Sequence, residues 1–284
     1  MSYRGLAEVA ATAAALGARP IGVSRGGRAI VAMTFGTRGP ATLVVAGVHP
    51  LEWIGVEVAL AIAARCAAAP PLDRRVIVVP VVCVDGYAAV EADARAGRRR
   101  WRRTASADGR SGVDLNRNFP IAHRAGPGWW ARVPHGGAAP WSEPETAALA
   151  ALLDGEGAPM IDRALSLHSF GKMILLPWAH QRARPPRYPE LVAHARAIAA
   201  QLSGYRTMQA GRWPLAGLRG LELDWLTSRG VLTLLVECSG GGLRLGEPRT
   251  WTRPFDWYNP QEPAGHVEAI ATAVAGFVRG APAR

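Results

Sequence analysis

Residues 44–55 read VVAGVHPLEWIG, and the stretch changes character at its midpoint. A β-branched apolar run ends in His49, Glu52 follows three residues on, and Trp53 follows that. Residues 42–47 and 76–82 are both short apolar runs of the kind that forms strands buried on both faces. Between them, residues 55–68 repeat their apolar positions with helical spacing, so the segment is a strand–helix–strand unit. The same alternation continues outward. Strands are expected over residues 28–35, 165–168, 173–176 and 231–236, and helices over 6–16, 144–153, 189–202 and 262–278. Strands alternating with helices from end to end predict an α/β domain, a sheet with helices on both faces. No linker or repeat interrupts the pattern, so residues 1–284 are expected to form a single domain. Residues 91–141 are the exception. Gly, Pro and Arg dominate them, and so long a loop in a compact domain is usually functional.

Composition narrows the classes. Hydrophobic residues make up 49% and charged residues 19%, an ordinary globular balance. No apolar run reaches the ~20 residues of a membrane span, and no secretory signal is visible at the start. Cys66, Cys83 and Cys238 are odd in number and widely spaced, so they form neither a disulfide framework nor a cysteine metal site. A reduced, cytoplasmic protein without membrane partners is expected. The formal charge of +11 invites a nucleic-acid reading, but Lys172 is the only lysine among 33 basic residues. That bias, with the abundant Ala, Gly and Pro, reads as a GC-rich coding sequence. No helix carries the basic and aromatic pattern of a nucleic-acid module, so no nucleic-acid partner is expected.

With 7 His in the chain, a single His-x-x-Glu pair is close to a chance event. Its place gives it weight. Open α/β sheets bind ligands at the carboxyl ends of their strands, and three-residue spacing turns both side chains to one side. A catalytic zinc commonly takes three protein ligands and keeps one open position. A second His at another strand end is therefore sought, and His168 in ALSLHSFG is the one that follows an apolar run. The other five (His123, His135, His180, His194 and His266) lie in expected loops or helices. Glu237 ends the run LTLLVE, where a carboxylate is costly unless paired or functional. It suits a general base that takes a proton from the attacking water and passes it to the leaving group. In SGVDLNRNFP, Arg117 offers a bidentate carboxylate grip, Asn116 a donor beside it, and Asp114 a carboxylate able to orient a metal-bound His.

These motifs together resemble the zinc metallocarboxypeptidases of the pancreatic A and B type and their bacterial relatives, including murein peptide amidases. GVHPLEW is similar to that family's His-x-x-Glu-Trp zinc motif, and GVDLNRNFP to its Asn-Arg motif. WSEPET (141–146) matches a helix-start signature, LSLHSFGKMILLPWA the third-ligand segment, and TLLVEC the strand of the catalytic glutamate. Motif order and spacing agree from about residue 20 to 240. The resemblance implies a carboxypeptidase-like fold, with a mixed, mostly parallel twisted sheet of about eight strands. It implies one Zn2+ held by His49, Glu52 and His168, with Glu237 as general base and acid. Asn116 and Arg117 would hold the substrate's terminal carboxylate, Asp114 would hydrogen-bond His49, and Ser169, Phe170 and Leu223 would line the substrate site. An Arg following a Trp polarises the scissile carbonyl in the family. RRRWRRT places Arg102 there, with Arg100 and Arg103 as alternative registers.

The chain also departs from the family. The substrate-capping Tyr stands eight residues before an Asp-Trp pair, here Asp224-Trp225, and that position is Ala216. Phe170 replaces a Tyr. Leu223, just before the pair, points to an apolar pocket, with Glu222 beside it as a contrary sign. No activation pro-segment is expected. The implied activity is hydrolysis of a peptide's C-terminal residue. Cleavage of γ-D-glutamyl-diaminopimelate bonds in cell-wall peptides, or tailoring of a dedicated peptide, are the alternatives. Peptides or muropeptides with a free carboxylate are the expected partners, and sequence leaves the oligomeric state open.

Overall fold

The strand-rich and helix-rich segments assemble around one eight-stranded sheet. The structure is a computed structural model that describes residues 3–96, 112–126, 135–213, 218–243 and 245–283. Its strands are β1 (Arg19–Val23), β2 (Ala29–Phe35), β3 (Ala41–Ala46), β4 (Arg75–Val79), β5 (Ile161–His168), β6 (Met173–Leu176), β7 (Arg206–Gln209) and β8 (Leu232–Glu237). Their spatial order is β1-β2-β4-β3-β5-β8-β6-β7. β4, β3, β5 and β8 run parallel in the middle, and β7 is parallel to β6. β1–β2, β2–β4 and β6–β8 are antiparallel. All six residues of β3 are buried, as its largely apolar sequence, broken only by Thr42, requires for a strand covered on both sides.

The helices are α1 (Leu6–Ala15), α2 (Trp53–Ala68), α3 (Val84–Arg95), α4 (Pro144–Asp154), α5 (Tyr188–Ala199), α6 (Glu222–Ser228), α7 (Phe255–Tyr258), α8 (Pro263–Ala273) and α9 (Ala275–Val278). Side-chain alternation on β5 shows that they cover both faces. Arg163 donates to the Ala281 carbonyl just beyond α9, and Leu167 meets Gly55 of α2, so the odd-numbered side chains face those helices. Ser166 points the other way and donates to Glu222 at the start of α6. His168 shares that second face. Among the described residues no helix is long and apolar enough to cross a membrane.

Two expectations are corrected in detail, and one strand was not expected. The loop read over residues 91–141 begins later, because residues 91–95 complete α3, whose helical run offers few apolar positions and buries Asp85 and Asp93. The single helix read over 262–278 divides at Val274 into α8 and α9. β7, four residues reading RTMQ, has too little apolar pattern to be expected from sequence.

Strand register matters most for function. Ala46 of β3 pairs with Leu167 of β5, and His168 of β5 pairs with Glu237 of β8. The carboxyl ends of three parallel neighbours therefore open at the same level. Neighbouring strands lie about 4.8 Å apart, which puts His168 and Glu237 side by side on one face.

Candidate active site

The turn after β3 begins at Gly47, whose φ of +60° favours glycine and where an added Cβ would stand 2.9 Å from the Val81 Cα. It then carries His49 and Glu52 before α2 starts. Long-range contacts hold this turn still. Asn259 accepts from the Ile54 N–H at 3.0 Å and donates to the Leu51 carbonyl at 2.7 Å. The Trp53 ring donates to the Pro50 carbonyl at 2.9 Å and stacks on Tyr87 with centroids 4.2 Å apart. Trp53 thus acts as the anchor of the turn.

Among the described residues, His49, Glu52 and His168 form the one His/Cys/Asp/Glu group able to share a metal ion, with ligand atoms all within 4.8 Å of one another. All three are buried. His49 Nδ1 stands 2.8 Å from Glu52 Oε1, and His168 Nδ1 stands 2.9 Å from Glu52 Oε2 and 3.2 Å from His49 Nδ1. Each imidazole turns its other nitrogen to a buried carboxylate. His49 Nε2–H donates to Asp114 at 3.2 Å, and His168 Nε2–H donates to Glu222 at 2.8 Å. Both rings are thereby held with Nδ1 facing the common centre. Two imidazoles, one carboxylate and a carboxylate behind each ring form a donor set that fits zinc. Burial pushes the Glu52 carboxyl up, but the facing His49 and His168 outweigh it and hold it below the usual carboxylate range. Burial likewise opposes charge on His168, yet Glu52 and the Glu222 hydrogen bond raise it well above the usual histidine range.

The Asn-Arg loop reaches the same place through Asp114. Its carboxylate caps the short turn Leu115–Arg117 by accepting from the Asn116 N–H at 2.9 Å while it accepts from His49. The polypeptide before α6 packs against this turn so closely that a Cβ on Gly220, at φ +67°, would stand 2.1 Å from the Arg117 carbonyl. Asn118 joins the loop to the start of α4, accepting from the Glu143 N–H at 3.2 Å and the Thr146 hydroxyl at 2.6 Å. Two motifs that are separate in sequence are therefore one packed unit.

The triad opens into a cavity of about 1150 Å³ that is also lined by Asn116, Arg117, Ser169, Phe170, Leu223 and Glu237. Asp114 lies behind His49 and outside it. Away from the metal corner the cavity wall is a small apolar cluster that includes Met173, Leu175, Ala210, Leu221, Leu223 and Leu235. Glu222 does not interrupt this wall, because its side chain turns towards His168 while that of Leu223 faces the cavity. Arg102, with the whole run 98–103, and Ala216 lie outside the described residues. Trp213, the last described residue before position 216, lines the cavity and is 36% exposed. The other five histidines stay away from the centre, and His180, for example, donates to Asp224 at 2.6 Å.

A family model for zinc carboxypeptidases matches residues 8–216. The chain belongs to the zinc carboxypeptidase family. This family is zinc-dependent, in agreement with the triad. Carboxypeptidase A2 of Mus musculus is 27% identical over 232 residues, covering 74% of this chain and 54% of its own length. The chain thus spans about half the length of that curated relative. Bovine thrombin-activatable fibrinolysis inhibitor, solved in complex with tick carboxypeptidase inhibitor, superposes with a TM-score of 0.75 at 24% identity, covering 98% of this chain and 97% of that one. Murein-tripeptide amidase MpaA from Escherichia coli O157 superposes with a TM-score of 0.58 at 20% identity, covering 93% and 92%. Both structural likenesses show the fold.

Two residues that hold this zinc carboxypeptidase site together were not legible in sequence. Asn259 follows His168 by some ninety residues and carries no motif. Glu222 sits in LELDW, where a carboxylate is as easily a salt-bridge partner for any of the many arginines.

Proposed function

We propose that the chain is a zinc carboxypeptidase that removes the C-terminal residue, with a preference for apolar side chains, from peptides with a free α-carboxylate. The observation that carries this reading is the shared cavity, in which Arg117 and Asn116 stand on the same wall system as the His49–Glu52–His168 triad and Glu237. Zinc, when bound, supplies Lewis acidity towards the scissile carbonyl and the attacking water. The other work belongs to the chain. Glu237, beside His168 on the neighbouring strand, takes the proton of the attacking water and returns it to the leaving amine. Arg117 grips the terminal carboxylate and Asn116 adds a donor, so that the bond to be cut is presented at a fixed distance from the metal corner. The apolar wall with Leu223 receives the terminal side chain. Arg102 completes this reading as the cation for the developing oxyanion.

Cleavage of γ-D-glutamyl-diaminopimelate bonds is the second reading. Two further cations at the cavity, Lys172 and Arg206, favour it, because such substrates carry extra carboxylates. The zinc-loaded protein incubated with mixed peptides and muropeptides, with products read by mass spectrometry, decides between the two. Release of single apolar residues from peptide C-termini supports the first reading, and release of diaminopimelate supports the second. Cleavage only at internal bonds would overturn both.

A further inference from the structure

Glu222 is 1% exposed, and one of its carboxylate oxygens has no hydrogen-bond partner. The other accepts from His168 Nε2–H at 2.8 Å and from the Ser166 hydroxyl. Its backbone N–H donates to the side chain of Asn116 at 3.1 Å. A buried carboxylate this poorly satisfied is costly unless a positive charge faces it. Among the described residues no Lys or Arg side chain pairs with it, and His168 is its ionisable neighbour. Asp114 occupies the equivalent place behind His49. The two arrangements differ in origin. Asp114 sits on a loop whose turn it caps, so it has a structural duty of its own, whereas the side chain of Glu222 has no cap to make.

We propose that Glu222 is a positioning residue for the metal: it fixes the tautomer and ring plane of His168 and places a second compensating negative charge behind the cation. The path from His49 through Asp114, Asn116 and Glu222 to His168 then closes around the metal corner and passes through the residue beside the Arg117 clamp. The proposal rests on the zinc reading of the triad and is independent of which peptide is cut. Carboxylates behind a metal-bound histidine raise its basicity and hold its orientation, and removing one typically weakens metal binding about 10–100-fold.

The test compares the full chain with Glu222→Ala and Glu222→Gln, each stripped of metal and titrated with zinc against a chromophoric chelator. Melting temperatures are recorded with and without zinc. The glutamine variant keeps the volume and an acceptor for His168, so it carries the test even if the alanine variant folds poorly. Zinc affinity falling by tenfold or more in Ala, by less in Gln, with the metal-free melting temperature of Gln close to the parent's, is the expected result. Zinc affinity within twofold of the parent in Gln and in any folded Ala would overturn the proposal. So would an equal loss of melting temperature with and without zinc, since that marks a purely structural tie. A parent chain that binds no zinc overturns the metal reading itself and this proposal with it.

Discussion

The metal corner and the apolar recess share one cavity but are built by opposite means. In the corner every side chain is buried, polar and tied. His49, Glu52 and His168 touch one another, carboxylates back both imidazoles, and Asn259 clamps the turn from the far end of the chain. In the recess, Met173, Leu175, Leu223 and Leu235 make contact by shape alone. Buried charges demand partners in fixed directions, so the corner admits almost no variation. Apolar walls tolerate volume-conserving change. On the proposed reading, chemistry is lodged where buried partners fix the side chains, and selection where substitution is cheap.

That contrast is open to attack in four ways, in order of effect. Stripping the metal with a chelator should take hydrolysis of every substrate to background, and zinc should restore it. Retained hydrolysis in metal-free protein would remove the corner from the chemistry. Next, Glu237→Gln should lower kcat about 10²–10⁴-fold for apolar and polar C-termini alike, the usual range for a lost general base, with zinc content unchanged. An effect confined to some substrates would place Glu237 in selection instead. Third, Arg117→Ala should cost about 10–100-fold in kcat/KM, as expected for lost charge-assisted hydrogen bonds. A C-terminally amidated peptide should be a poor substrate for the parent, and the variant should not discriminate against it. Smallest, Leu223→Ser should leave zinc affinity intact and shift the preference between large apolar and small polar C-terminal residues by about tenfold, the scale of a few buried methylenes. A uniform loss on all substrates would erase the boundary between the two regions.

Much of the corner was legible in residues 44–55 because short-range physics writes it there. A β-branched run must be a buried strand, and a His and a Glu three apart after it must leave on one side of the turn. Zinc chemistry then demands a further ligand at another strand end, and the run before His168 offers one. The recess was legible only as a hint from Leu223. Its walls come from β6, the segment after β7, α6 and β8, and no pattern in any of them announces a shared cavity. Glu222 shows the limit best. Next to Leu223 in sequence it looked like a polar intrusion into the pocket, yet the first turn of α6 points the two side chains to different sites. α3 was missed for a related reason, since a helix that buries two aspartates does not show an apolar stripe.

What the sequence by itself determined is the donor set and the order of the motifs: His49 and Glu52 on one turn, His168 and Glu237 at strand ends, Asn116 and Arg117 in a loop. Only the tertiary structure decided which of these stand side by side, through the register that pairs His168 with Glu237 and the packing that sets Glu222 behind His168. The physical reason is range. Periodicity and ligand chemistry act over a few residues, whereas strand order, register and the compensation of buried charge are settled between segments tens to hundreds of residues apart.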